Sequence, residues 1–269
     1  MIVIHVDDFP VHSYEIWWQD RAESVLPNLA EARLLTVRSC SSEVADALGA
    51  YIFRRKTPLT LLVDLSQSTD ELWAGLKRKS CRVEIKKAAK HNPDIGVNED
   101  TEYCVNLINS HIARKKYRSP MRRAEWARIL SHGDVFSVRW EERLISTHAL
   151  LVDPMGRVRL IAAAVLDPRD ERVRGMVGPM NRLLHWHEMN YYKNRGIGCY
   201  DFGGLVLDER SPAHNISRFK LSFGGEPVVE NVVQLWRGAA ARAVLRGLAA
   251  PEGTRRILKA VELEGGFDG

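Results

Sequence analysis

The stretch from residue 178 to residue 226 decides the fold. It opens Gly178-Pro179-Met180-Asn181-Arg182-Leu183-Leu184-His185-Trp186, passes Lys193-Asn194-Arg195-Gly196 and Tyr200-Asp201-Phe202-Gly203-Gly204, and ends Ile216-Ser217-Arg218-Phe219-Lys220-Leu221-Ser222-Phe223-Gly224-Gly225-Glu226. Apolar residues at helical spacing predict a helix from about Met180 to Asn194, closed by Gly196, because glycine takes the left-handed conformation that ends helices. A short strand, Cys199–Phe202, runs into Gly203-Gly204. A loop then leads to a short helix at Ile216–Ser222 and a strand at Val228–Leu235.

Upstream of this stretch the apolar period is two. Val135–Trp140, Leu144–Val152 and Val158–Val165 read as three strands, and Glu141-Glu142-Arg143 and Asp153-Pro154-Met155-Gly156 as hairpin-like turns. A fourth strand is expected at Arg172–Val177. Helices precede the meander. Ser68-x-x-Glu71 is a capping box, and Leu72, Trp73, Leu76 and Val83 give the helix after it an apolar stripe as far as Lys90, before Asn92-Pro93. Two more helices are expected at Glu102–Lys116 and Arg122–Ser131. Residues 1–66 hold strands at Ile2–Val6, Leu34–Val37 and Thr60–Leu65, with an amphipathic stretch at Ser13–Leu29. The tail holds two helices, Gly238–Leu248 and Thr254–Leu263. The sum is an α+β fold: a mixed, mostly antiparallel sheet with helices on both faces. Residues 1–66 read as an N-terminal elaboration of the same domain, 67–235 as its core and 236–269 as a helical tail.

Among 269 residues, 45% are hydrophobic and 27% charged, which excludes a disordered or fibrous chain. Cys40, Cys81, Cys104 and Cys199 form no Cys-x-x-Cys pair; that excludes a disulfide scaffold and a zinc ribbon, and suits a reducing cytoplasm. No apolar run approaches the ~18 residues of a membrane span, so no stable membrane insertion is expected. The start of the chain lacks the basic region of a signal peptide. The net charge of +5 is uneven: residues 77–123 carry 13 basic and five acidic side chains, a net +8 against −3 elsewhere. Lys77, Arg78, Lys79, Arg82, Lys86 and Lys87 lie on the first helix of that segment. Such a footprint fits tRNA or another anionic donor, an anionic membrane surface, or simply a solvated helical face.

The order helix–helix–β–β–β–helix–β is that of the GNAT acyltransferase core, and the quoted motifs resemble the Fem-type branch of that superfamily. Its members include aminoacyl-tRNA-dependent transferases that build peptidoglycan bridges, and single-module acyltransferases of polysaccharide and natural-product pathways. The Asp-Phe-Gly-Gly turn and the Phe-Lys-x-x-Phe-Gly element carry the resemblance. The segment Lys77–Ala88 is similar to the branch's basic helix. The resemblance covers about residues 60–235, room for one full module where the best-known members have two. It implies direct transfer of an aminoacyl group from aminoacyl-tRNA to a small-molecule or glycan amine, with no cofactor beyond the donor. The alternatives are an acyl-CoA-dependent N-acyltransferase acting on an amino sugar or other small amine, and a non-catalytic RNA-binding module. Coenzyme A enzymes of the superfamily hold pyrophosphate on a glycine-rich loop at a helix N-terminus. At the matching place, Gly175–Arg182, Pro179 lacks an N–H and the second glycine is missing, which puts aminoacyl-tRNA first.

The resemblance implies that Lys220 stabilises the carbonyl oxygen as it turns negative, with Phe219 lining the acceptor path. Asp201 either accepts a proton from the attacking amine or caps the turn after it. Asn181 and Arg182 are candidates for an anion; His185, Trp186, Tyr200, Gly203 and Gly204 are candidates for donor or acceptor contact. His185 and His187 lie on different faces of one helix, and His148 lies in a strand. With no ligand at helical spacing and no cysteine partner, no metal is expected.

Overall fold

A computed structural model describes residues 2–6, 13–18, 20–31, 34–116, 119–153 and 156–236. The chain runs β1 (Ile2–Val6), β2 (Ser13–Trp17), α1 (Leu26–Glu31), β3 (Leu34–Cys40), α2 (Ser42–Ala47), β4 (Ile52–Lys56) and β5 (Leu59–Asp64). Then come α3 (Thr69–Gly75), a wide-turned segment Arg78–Arg82, α4 (Val83–Ala89), β6 (Asp94–Val97), α5 (Thr101–Lys115) and α6 (Arg123–His132). The remainder is β7 (Gly133–Trp140), β8 (Arg143–Asp153), β9 (Arg157–Val165), α7 (Glu171–Lys193), β10 (Cys199–Leu205), α8 (His214–Lys220), β11 (Glu226–Val229) and β12 (Asn231–Trp236).

Two compact units result: Met1–Pro58 with Val229–Gly269, and Leu59–Val228. The borders fall at 58/59 and 228/229, where the sequence put them at 66/67 and 235/236. The reason is pairing. Strand β5 pairs with β10, whereas β12 pairs with β3 and β4, so the strand expected at Val228–Leu235 is two strands in two sheets. The first unit has the order β1-β2-β3-β12-β4 over a small core that includes Ile16, Leu35, Val37, Val44 and Leu235. Strand β2 occupies the stretch read as amphipathic, where Tyr14-Glu15-Ile16 alternates with period two. The tail helices expected beyond 236 lie outside the described residues.

The second unit is a seven-stranded sheet, β11-β5-β10-β9-β8-β7-β6. The meander is antiparallel, while β10 runs parallel to β9 over three residue pairs, Cys199–Asp201 against Arg157–Arg159. Helices cover both faces. Along β8, Ser146 and His148 meet side chains of α7, and Thr147 between them meets Cys104 of α5. Because strand side chains alternate, α5 and α7 lie on opposite faces.

Two helices differ from the expectation. The capping box at Ser68 is present, but the first helix stops at Gly75. Leu76 takes an extended ψ of 137° and Lys77 N–H donates to the Ser222 carbonyl, so the chain turns before α4. Leu72 and Leu76 are buried as expected, while Val83 is 54% exposed and leaves the stripe. Arg172–Val177 is no strand but the start of the 23-residue α7. Val173, Gly175 and Val177 alternate as in a strand, yet Val173, Met176, Met180 and Leu184 also recur at helical spacing, and all four are buried. Burial along the longer period wins. Pro179 inside α7 cannot donate to the Gly175 carbonyl four residues back. Lys87 Nζ supplies that donor instead, at 3.1 Å.

Candidate active site

The candidate site lies wholly within the second unit, where β10 leaves β9. After Asp201 the parallel ladder ends, and the register of β10 against β5 shifts between Asp201 and Gly204. A bulge of this kind re-aims side chains and is frequent beside active sites. Gly203 sits there with φ +73°, and a Cβ on it would lie 3.3 Å from the Leu160 carbonyl and 4.0 Å from Lys220 Nζ. The backbone therefore needs glycine on two counts.

Lys220 closes α8 and reaches back to this bulge. Its Nζ donates to the Gly204 carbonyl at 2.8 Å, which uses one of three N–H bonds. Burial pulls its ammonium down to about 8, with Arg159 adding to the fall and Asp201 opposing it. It is half-buried, and Phe219 and Phe223 beside it in the chain belong to an aromatic cluster. Phe219 lies 5.4 Å from Phe223, and Phe223 lies 5.0 Å from Phe202, ring centre to ring centre.

Asp201 is fully buried and its carboxylate is saturated. Oδ1 accepts from the Thr60 hydroxyl and, at 2.7 Å, from Gly203 N–H. Oδ2 accepts from Arg157 and Arg159, each at 2.6 Å. A carboxylate has about four lone-pair sites, so none is left for the proton of an amine. Of the two roles expected for Asp201, this geometry is that of the turn-capping one, here enlarged into a clamp between β5, β9 and β10.

A second buried carboxylate was not singled out by sequence. Glu188 lies one helical turn from His185 on α7, both fully buried. Its Oε1 is 2.6 Å from His148 Nδ1, and its Oε2 is 3.2 Å from His185 Nδ1 and accepts the Tyr200 hydroxyl at 2.5 Å. His148 Nε2 faces Asn181 Oδ1 at 2.8 Å, and Ser146 Oγ donates to the same atom at 2.7 Å. The two imidazoles stack at 4.0 Å, 24° from parallel. Desolvation works against the Glu188 charge, but the two histidines outweigh it and hold the carboxyl down at about 2. Burial pushes His185 down to about 4, neighbouring His148 pushes the same way, and Glu188 only partly offsets them. Two signals could have found this network: His185-x-x-Glu188 at one-turn spacing, and Ser146 and His148 on the otherwise apolar face Leu144, Leu150, Val152 of β8.

His148, His185 and Glu188 offer ligand atoms within 4.8 Å of one another, closer than the chain spacing led us to expect. Parallel stacked rings send their nitrogen lone pairs side by side rather than to one point, however, and both Nδ1 atoms face the one carboxylate. The residues fit a hydrogen-bonded network better than an ion.

The remaining candidates sort by place. Tyr200 belongs to the Glu188 network. Trp186 packs edge-on to Trp73 at 5.1 Å, and Lys86 lies over Trp73 at 5.7 Å. Arg182 lies over the Phe219 ring at 4.7 Å. Arg82 and Arg182 each keep a buried Nε with no hydrogen-bond partner among the described residues. Lys77, Arg78, Lys79, Lys86 and Lys87 are exposed, with Lys87 engaged on α7. The basic segment is not one patch. Its first half, with α4 packed on α7, lies on one face of the sheet; Arg114 and Lys115 lie on α5, on the other. Gly175–Arg182 is no loop but the middle of α7. At the true start of that helix, Asp170 Oδ1 accepts Arg172 N–H at 2.9 Å and Glu171 follows. The protein's own carboxylates occupy the place where a helix would cradle pyrophosphate. Burial lifts the Cys40 and Cys81 thiols to about 11, so neither is a nucleophile at neutral pH.

Among solved structures the chain is similar to FemX, with a TM-score of 0.65 and 12% identity over 91% of this chain and 85% of that one. It is also similar to the C-terminal domain of a putative lysylphosphatidylglycerol synthetase from Agrobacterium fabrum, at TM-score 0.54 and 15% identity over 87% and 83%. L-PGS from Bacillus licheniformis gives 0.53 and 12% over the same shares. No protein-family model and no curated protein matches the chain. The likeness is one of fold, and the fold is α+β and GNAT-like.

Proposed function

We propose that this protein is an acyltransferase that moves an aminoacyl group from aminoacyl-tRNA directly to an amine acceptor, forming an amide in a cell-envelope or natural-product pathway. The observation that carries the reading is Lys220: a half-buried ammonium anchored on the Gly204 carbonyl at 2.8 Å, its one hydrogen bond among the described residues, beside the bulge that ends the β9–β10 ladder. Aminolysis of an ester builds negative charge on the carbonyl oxygen, and a fixed cation in a partly desolvated place stabilises it best. The acidic start of α7 favours tRNA over coenzyme A as donor. Exposed Lys77, Arg78, Lys79, Lys86 and Lys87, with Arg82 on the same segment, are the proposed contacts to donor phosphates. The name of one of the similar structures speaks of a lysyl group joined to a lipid, which agrees with aminoacyl transfer, and FemX is the similar structure with the highest score quoted above, which agrees with the Fem-type resemblance of the motifs. The acceptor proposed is a small-molecule or glycan amine, and the setting the cytoplasm. Among the described residues no helix is long and apolar enough to cross a membrane.

The test is a mass spectrum of products formed from a pool of charged tRNAs and, separately, from a pool of acyl-CoAs. Aminoacyl amides from the first pool are expected. Products from the second alone would move the donor to acyl-CoA, and tRNA binding without turnover would leave an RNA-binding module. Lys220→Ala should lower the single-turnover rate by about 10²–10³, equivalent to about 2.7–4 kcal/mol, with donor affinity largely kept.

A further inference from the structure

Resting on the reading above, we propose that His185 is the catalytic base of the transfer: its Nε2 takes the proton of the attacking amine and hands it to the departing oxygen, while Glu188 and Tyr200 hold the ring.

The tautomer follows from the partners. An ionised carboxylate only accepts hydrogen bonds, and Tyr200 gives its one proton to Glu188. The His185 nitrogen that faces them, Nδ1, must therefore carry the hydrogen, which leaves the lone pair on Nε2. The described hydrogen bonds of His185 all run from Nδ1. Its ring lies among Phe202, Phe219 and Phe223, with centres 5.0, 5.7 and 5.2 Å away. Two of these rings, Phe219 and Phe223, flank Lys220 in the chain, and the Lys220 charge acts on His185. A base oriented by a carboxylate and a cation for the oxyanion thus stand on adjoining sides of one apolar wall, and Asp201, the other acid at the bulge, has no lone pair to offer. Half-buried Phe219 is the ring an acceptor displaces to reach Nε2.

The charges facing His185 are Glu188 on its own helix, His148 from β8, the Tyr200 phenol from β10 and Lys220 from α8. Burial keeps the imidazole neutral and ready to accept. The amine enters neutral, its nitrogen bonds to the carbonyl carbon, and the carbonyl electron pair moves to the oxygen beside Lys220. The proton of the now cationic nitrogen, far more acidic than in the free ammonium, passes to Nε2. The ester C–O bond then breaks, its electron pair leaves with the ribose oxygen, and that oxygen takes the proton from Nε2. His185 ends neutral, with no proton gained or lost.

The experiment uses the full chain, aminoacyl-tRNA as donor and hydroxylamine as the probe nucleophile, with aminoacyl hydroxamate as the readout. His185→Ala and His185→Gln should each lose about 10²–10⁴ in single-turnover rate. Added imidazole should restore the alanine variant; pyrrole, which can donate to Glu188 but has no basic nitrogen, should not. No loss, or equal rescue by both rings, overturns the proposal, since packing alone would respond to either. In ¹⁵N-histidine-labelled wild type near neutral pH, the ring shifts should report a protonated Nδ1 and a bare Nε2 at His185. A protonated Nε2, or ring shifts of a metal-bound pair with stoichiometric zinc, overturns it as well. Wild type that transfers from neither donor would sink the proposed function instead, and the tautomer is read independently of turnover.

Discussion

Asp201 and Glu188 are two carboxylates at zero exposure in one unit of one chain, and the difference between them lies in their donors. Asp201 is held by Arg157, Arg159, a threonine hydroxyl and a backbone N–H. Guanidinium keeps its proton at every pH a protein survives, so this arrangement stores charge without exchanging it. Glu188 is held by two imidazoles and a phenol. Imidazole is the side chain that trades protons near neutrality, so the same burial here builds something able to move one. Burial alone does not mark a carboxylate as catalytic or structural; the proton affinity of what surrounds it does.

The largest effect expected is on the clamp. Asp201→Ala leaves two guanidinium groups facing the space of a lost carboxylate and should cost about 3–5 kcal/mol of stability, as breaking a buried ion pair does. Urea midpoints should fall at constant slope. Asp201→Asn should cost less, and its transfer rate per folded molecule should match wild type with the same pH profile. A well-folded Asp201→Asn that loses its pH dependence would make Asp201 the base and erase the contrast.

Next in size is Glu188→Gln. The amide keeps the volume but replaces one acceptor oxygen with an NH₂ group facing bound N–H or O–H donors. Leaving a buried donor unsatisfied costs about 1–3 kcal/mol. Here, unlike at Asp201, the rate per folded molecule should fall too, because the Nδ1–H tautomer of His185 is no longer enforced. A rate unchanged after correction for the folded fraction would reduce Glu188 to packing.

How much of this was readable beforehand divides along the same line. The meander was legible because strands β7, β8 and β9 repeat with period two, and the short helix that carries Lys220 because its residues are consecutive in the chain. The clamp was half legible: Asp201 before two glycines announced a turn, but Arg157 and Arg159, more than forty residues earlier, were invisible to local pattern. The His148–Glu188 contact also joins residues forty apart, and α7 itself runs on through Pro179. That continuity rests on Lys87 reaching the orphaned Gly175 carbonyl, a tertiary event that no local rule foresees. The helix expected from Met180 already held Asn181, His185 and Glu188; what local pattern could not show is that Ser146 and His148 of β8 come to lie against it.

Acid titration tests the contrast in solution. His185 is held down at about 4 from its ordinary 6.5, so the unfolded chain binds a proton that the folded chain refuses. Its penalty is absent above about pH 6.5, grows as pH falls below that, and levels off below about 4. Glu188, depressed to about 2 from 4.5, contributes stability that is present above 4.5 and lost as pH falls toward 2. The melting temperature should thus drop between about pH 6.5 and 4, and His185→Gln should flatten that part of the curve. An unaltered slope in the variant would mean that other groups carry the acid sensitivity.

The smallest effect concerns Lys220, which responds to both regions: Asp201 supports its charge, and its charge in turn opposes protonation of His185. Its ammonium is pulled down to about 8 from an ordinary 10.5 by burial, so between those values the unfolded chain holds a proton that the folded chain has shed. Stability linked to this group therefore rises with pH from about 8 to 10.5, and below 8 the buried charge is a standing cost. Lys220→Met keeps the length and apolar stem and removes that cost. Its stability at neutral pH should equal or exceed wild type by roughly 0.5 kcal/mol, the scale of a change that breaks no network, and the rise above pH 8 should vanish. The transfer rate should collapse in the same variant. A protein that gains stability while losing its reaction reveals a residue kept for chemistry against its folding interest. A Lys220→Met variant that melts well below wild type would show instead that the Gly204 hydrogen bond holds the bulge together, and Lys220 would join Asp201 on the structural side of the contrast.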